Sequence, residues 1–182
     1  MDLESSLIVP VPAATDVAEP WRERLDPFSA YGMPAHVTVE YPFLPPASID
    51  DELLVTLREM FAAMPSFRYR LSSVEWFESS VVWLAPEPDE RYREMTAAVM
   101  RRWPDLRPYG GPPGKVPPHL TLGVSDAHDR LVEAARHVEP SLPIDCLAEE
   151  VWLMTGSSAP GSWAIKARFT LAGPGPEPRG AE

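Results

Sequence analysis

Apolar positions along this chain follow two periods, and the switches between them lay out an ordered set of elements. Val17, Trp21 and Leu25 recur at helical spacing in "DVAEPWRERL", which predicts a helix over 16 to 25 with Pro20 tolerated only in a first turn. "SIDDELLVTLREMFAAM" predicts a longer helix over 48 to 64. It has Ser48 as N-cap, acids in its first turn, and Leu53, Leu54, Leu57, Met60 and Phe61 on one face. Two more amphipathic runs read the same way, 89 to 103 closed by Pro104 and 125 to 138 capped by Ser125 or Asp126. Between the helices lie β-branched stretches that read as strands: 6 to 12, 36 to 41, 67 to 77, 80 to 86, 119 to 124, 143 to 154 and 162 to 171. A tight turn around Glu78 and Ser79 joins the third and fourth of these.

The 23 prolines sit mostly at the borders of these elements, where a fixed φ and a missing N–H punctuate the chain. The segment "GPGPEPRGAE" from 173 to 182 has no apolar period and reads as a disordered tail behind one bilobal domain spanning 1 to 172. The two halves of that domain match in order. Each has a proline-containing approach, a short strand, a helix, a tryptophan-bearing strand and another strand. That order predicts two lobes related by an internal pseudo-twofold, because a solenoid needs about three repeats or more.

The short strand that opens each half carries the chemistry. "PAHVTVEYPF" and "PPHLTLGV" both place His and Thr two residues apart. Side chains alternate along a strand, so His36 and Thr38 share one face while Val37, Val39 and Tyr41 take the other. His119 and Thr121 share a face opposite Leu120, Leu122 and Val124. If the twofold brings the strands together, one cleft receives two imidazoles and two hydroxyls. Imidazole, with a pKa of ~6.5, gives or takes a proton near neutrality, and two of them supply an acid and a base. Hydroxyls can donate to the non-bridging oxygens of a phosphate. The set suits transfer or hydrolysis at a phosphodiester.

Composition narrows the partners. The formal net charge of −11 disfavours a broad grip on nucleic acid, which needs clustered Lys and Arg, so a nucleotide or RNA-end substrate has to be small. One cysteine, Cys146, excludes an internal disulfide and a multi-cysteine metal site. No stretch nears the ~18 apolar residues of a membrane span, and the N-terminus has no secretory pattern. A soluble, cytoplasmic monomer without cofactor or membrane partner is the expectation.

The paired motifs and their flanks, "SLIVPVP", "YPFLPP" and "YGG" ahead of "VPPHLTL", resemble the two-histidine phosphoesterase superfamily, in its bacterial 2'-5' RNA ligase-like branch, over residues 5 to 171. The resemblance implies an α+β fold with two mainly antiparallel sheets around a central cleft, helices outside and strands exchanged between lobes. It also implies metal-independent cyclic phosphodiesterase or 2'-5' phosphodiester chemistry, with His36 and His119 as acid and base in either order and Thr38 and Thr121 as phosphate ligands. Tyr41, Tyr109, Lys115 and Glu40 are further candidates for substrate contact. Glu40 departs from the apolar residue usual there. Strict alternation puts it on the His36 face, where it raises the imidazole pKa and repels an anion, unless a twist, bulge or strand end turns it to solvent. Two rival functions follow from other readings of these residues. One is a binding module that keeps the cleft without catalysis. The other is a metal-dependent hydrolase built on the histidines and Glu40, for which no H-E-x-x-H or paired-Cys spacing exists.

Overall fold

The computed structural model describes residues 2–107 and 116–173. Tyr109, Lys115 and the tail from 174 onward lie outside the described residues. The order is β1 (Glu4–Pro10), α1 (Thr15–Leu25), α2 (Pro27–Ala30), β2 (His36–Glu40), α3 (Asp51–Ala62), β3 (Phe67–Phe77) and β4 (Val81–Glu87). It continues with α4 (Glu90–Arg102), β5 (Leu120–Val124), α5 (His128–Val138), β6 (Ile144–Ala148), β7 (Glu150–Gly156) and β8 (Ala164–Thr170).

These strands form two four-stranded antiparallel sheets, ordered β2-β1-β7-β8 and β5-β4-β3-β6. The fold is α+β and bilobal, as expected. Overlaying the two orders pairs β2 with β5, β1 with β4, β7 with β3 and β8 with β6. The His-x-Thr strands are therefore equivalent edges. They also touch, which closes the gap between sheets.

Exchange makes the lobes interdependent. α1 follows β1 in the chain but packs on β5 of the other sheet, and α4 follows β4 but packs on β2. The core runs through both sheets and includes Leu7, Val9, Val37, Val39, Leu84, Leu120, Leu122 and Val151. Burying an aliphatic side chain of this kind stabilises by about 1.5–3 kcal/mol, so the shared core ties the two edges together.

Several sequence expectations need correction. The run from 143 to 154 is two strands, because the chain leaves one sheet after Ala148 and enters the other at Glu150. Helix α3 starts at Asp51, with Asp50 rather than Ser48 as its cap. The Asp50 carboxylate accepts from Leu53 N–H at 2.9 Å, while Ser48 closes a 3₁₀ turn that Pro46 opens. Pro20 lies beyond the first turn of α1. It is tolerated because the carbonyl it leaves unbonded, that of Asp16, is on an exposed residue that water can reach. Ser125 accepts from Ala127 N–H just before α5, which begins only at His128. The stretch from 27 to 30, for which the sequence predicts no element, is a helical turn capped by Asp26.

Candidate active site

Both His-x-Thr strands break their alternation at the same step. β2 pairs Thr38 with Ile8 and Glu40 with Leu7, which leaves Val39 as an extra residue. β5 pairs Thr121 with Trp83 and Gly123 with Val82, which leaves Leu122 extra. A one-residue β-bulge resets which side chain faces which way. The Val39 carbonyl beside the β2 bulge accepts from Thr96 Oγ1 of α4 at 2.8 Å. Past the bulge, Tyr41 and Val124 return to the side of His36 and His119, contrary to strict alternation, and both line the cavity there.

Glu40 is displaced by the same bulge. It neither lines the cleft nor reaches solvent. It lies opposite Leu7, 1% exposed, and neither carboxylate oxygen has a hydrogen-bond partner. Burial alone pushes its carboxyl up to about 7. The equivalent Gly123 explains itself by contact: a Cβ there would lie 2.6 Å from Leu25 Cβ of α1.

His36, Thr38, His119 and Thr121 line one cavity of about 310 Å³. Each imidazole is set by its own approach segment. His36 Nδ1 donates to the Pro34 carbonyl at 2.6 Å, and His119 Nδ1 donates to the Pro117 carbonyl at 2.8 Å. A carbonyl only accepts, so both rings, when neutral, carry their proton on Nδ1. The repeated proline thus does more than punctuate. It presents a carbonyl two residues before each histidine.

Burial pushes both imidazoles below their ordinary value. His36 falls to about 3, through desolvation first and then the positive charge of Arg22, with a smaller repulsion from a proton on His119. His119 is lowered by desolvation. Its ring stands perpendicular to Phe77 at 5.0 Å, and Trp83, stacked on Phe77, lies 5.7 Å away.

One wall of the cavity is aromatic and apolar, with Phe28 and Met33 beside Tyr41. Phe28 meets Tyr41 edge to face at 5.5 Å, and Tyr41 Oη donates to Glu4 at 2.8 Å. Phe77, Val81, Val116 and Val124 line the cavity as well. Ser6 and Asp26 also line it. Asp26 holds Arg22, which is 1% exposed. Arg22 Nε and Nη2 both donate to Asp26 Oδ2, at 3.1 and 2.9 Å. Sequence reasoning did not find this pair, although Arg22 and Asp26 stand four residues apart as a helical ion pair does. Among the described residues, no three His, Cys, Asp or Glu side chains cluster to hold a metal ion. No helix there is long and apolar enough to cross a membrane.

A family model described as the 2'-5' RNA ligase superfamily matches residues 9–159. The chain belongs to that superfamily. Membership supports an enzyme of the phosphoesterase type. Comparison with curated proteins gives no match. Among solved structures, E. coli LigT complexed with NADP+ is 23% identical with a TM-score of 0.59, over 94% of this chain and 98% of that one. E. coli LigT complexed with 3'-AMP is 19% identical with a TM-score of 0.59, over 94% and 99%. TT0787 of Thermus thermophilus is 18% identical with a TM-score of 0.63, over 95% and 99%. At these identities the likeness of this superfamily member to LigT and TT0787 is one of fold.

Proposed function

We propose that this protein is a metal-independent phosphoesterase acting on a 2',3'-cyclic phosphate or a 2'-5' phosphodiester of a small nucleotide or RNA end. The observation that carries the reading is that His36 and His119 line one cavity together, each ring held at Nδ1 by a proline carbonyl. A single imidazole handles one proton. Hydrolysis of a phosphodiester moves two, one from the attacking water and one to the leaving sugar oxygen, and acid/base assistance of this kind is worth about 10²–10⁴ in rate.

The phosphorus sits between the two rings, with Thr38 and Thr121 donating to its non-bridging oxygens. One ring takes the water proton on Nε2, and the other returns a proton to the departing oxygen. Phe28 and Tyr41 offer an aromatic wall to the nucleoside. LigT structures solved with NADP+ and 3'-AMP agree with a small nucleotide ligand.

The test is turnover of 2',3'-cyclic mononucleotides and of a 2'-5' linked dinucleotide by wild type, His36→Ala and His119→Ala. Each variant is expected to lose at least about 10²-fold in kcat while keeping the wild-type melting temperature. Wild-type rates in both variants overturn the reading. Calorimetric binding of a 2'-phosphorylated nucleotide without product over long incubation of the wild type assigns a binding module instead.

A further inference from the structure

The two lobes are not equivalent around their histidines. On the first, Arg22 is fully enclosed and holds two partners besides the Asp26 carboxylate already described: Glu19 at 2.6 Å and the Met33 carbonyl at 3.2 Å. Met33 adjoins Pro34, and the Pro34 carbonyl is the acceptor for His36 Nδ1–H. One guanidinium therefore holds the peptide next to the one that orients His36 and also sets a permanent positive charge near that ring. An arginine keeps its charge at any working pH. On the second lobe, His119 packs against the rings of Phe77 and Trp83.

We infer that Arg22 is a positioning residue that makes His36 the base and leaves His119 to carry the catalytic proton. This rests on the phosphoesterase reading and gives it a direction. A proton on His36 faces the Arg22 cation and competes with one on His119, whereas the neutral ring suffers neither penalty. The low value of His36, about 3, agrees. Among the described residues, the other titratable groups lining the cavity with the ring are Asp26 from the turn before α2, which is bound to Arg22, Tyr41 from the end of β2, and His119. Glu40 of the same strand faces away behind the bulge.

In the hydrolytic direction, a water oxygen forms the new bond to phosphorus and its proton passes to His36 Nε2. The bond from phosphorus to the leaving ribose oxygen breaks, and that oxygen takes the proton of His119 Nε2. The enzyme then holds its proton on the wrong ring. Exchange with solvent resets it.

The experiment is an imidazole NMR titration of both histidines in the absence of substrate, with the pH profile of kcat/KM on a 2',3'-cyclic mononucleotide, for wild type, Arg22→Gln and Arg22→Lys. In the wild type His36 is expected to titrate below His119. Arg22→Gln raises the His36 midpoint and the acidic limb of the profile together by about one pH unit or more, and Arg22→Lys restores both. His119 titrating below His36, or a His36 midpoint unmoved in Arg22→Gln, overturns the assignment. Should Arg22→Gln fail to fold, Asp26→Asn decides. Removing the counter-charge lowers the His36 midpoint if Arg22 acts as described, and an unchanged midpoint overturns it. Absence of turnover with the expected order of midpoints sinks the phosphoesterase reading alone, and turnover with the reversed order sinks only the division of roles.

Discussion

Glu40 and Gly123 stand at the same step of two matching edge strands, one residue past a bulge in each, yet one brings a carboxylate where the other brings no side chain. The glycine lets α1 close onto β5 through Leu25. The glutamate is sealed behind β2 without a hydrogen-bonding partner.

Its consequence for stability has a definite sign. The folded-state value of Glu40, about 7, lies above the 4.5 of the unfolded chain, so the native protein holds this proton more tightly. Stability therefore falls as pH rises from about 4.5 to about 7, by up to about 3 kcal/mol, and this loss persists above that window. Glu40→Met is expected to be more stable than wild type at pH 8 and to lose that advantage near pH 4.5. Urea unfolding at the two pH values measures it, and an advantage independent of pH removes the explanation.

Gly123 predicts the opposite response to a small change. A methyl group placed there meets a Leu25 Cβ that cannot swing aside, since it is anchored to the helix backbone. Gly123→Ala should cost about 1–3 kcal/mol through overpacking, and pairing it with Leu25→Ala should recover part of that loss. Thermal melts of the single and double variants test this.

An anion in the cleft should draw in protons. Burial lowers both imidazoles, and a phosphate between them favours the charged form. Titration of inorganic phosphate near pH 6.5 should take up as much as about one proton per site, read as a dependence of calorimetric heat on buffer ionisation enthalpy. Binding with no such dependence places the anion elsewhere.

The threonines are expected to act on rate rather than on folding. Thr38→Val and Thr121→Val keep the shape of the side chain and delete the donor, so each should lower kcat by about 10- to 10³-fold with little change in melting temperature. Unchanged kcat in both would leave the phosphate oxygens to other donors.

Much of the fold was legible because periodicity and proline borders are local signals. The eleven-residue strand from Phe67 to Phe77 and the apolar backing of Val37, Val39, Leu120 and Leu122 follow directly from alternation. The placement of His36, Thr38, His119 and Thr121 on one cavity was foreseeable only through the duplication, which supplied the long-range contact that alternation cannot. The bulges were not legible. "HVTVEY" alternates without a flaw, and the extra residue is visible only against β1, so the faces of Glu40 and Tyr41 came out exchanged. Arg22 was hidden for a related reason. The apolar stripe of α1 was drawn through Val17 and Trp21, but the most deeply buried residues are Ala18 and Arg22, a choice made by packing against a strand far along the chain. Nor did "CLAEEVWL" carry a glycine or proline to mark where β6 gives way to β7.

That unmarked crossing at Glu149 has a mechanical meaning. Because β7 returns to complete the sheet begun by β1 and β2, either half of the polypeptide made alone would hold an unfinished sheet with apolar edges bare to water. The protein is laced together like a shoe, and the two catalytic candidates cannot be pulled apart without undoing the knot.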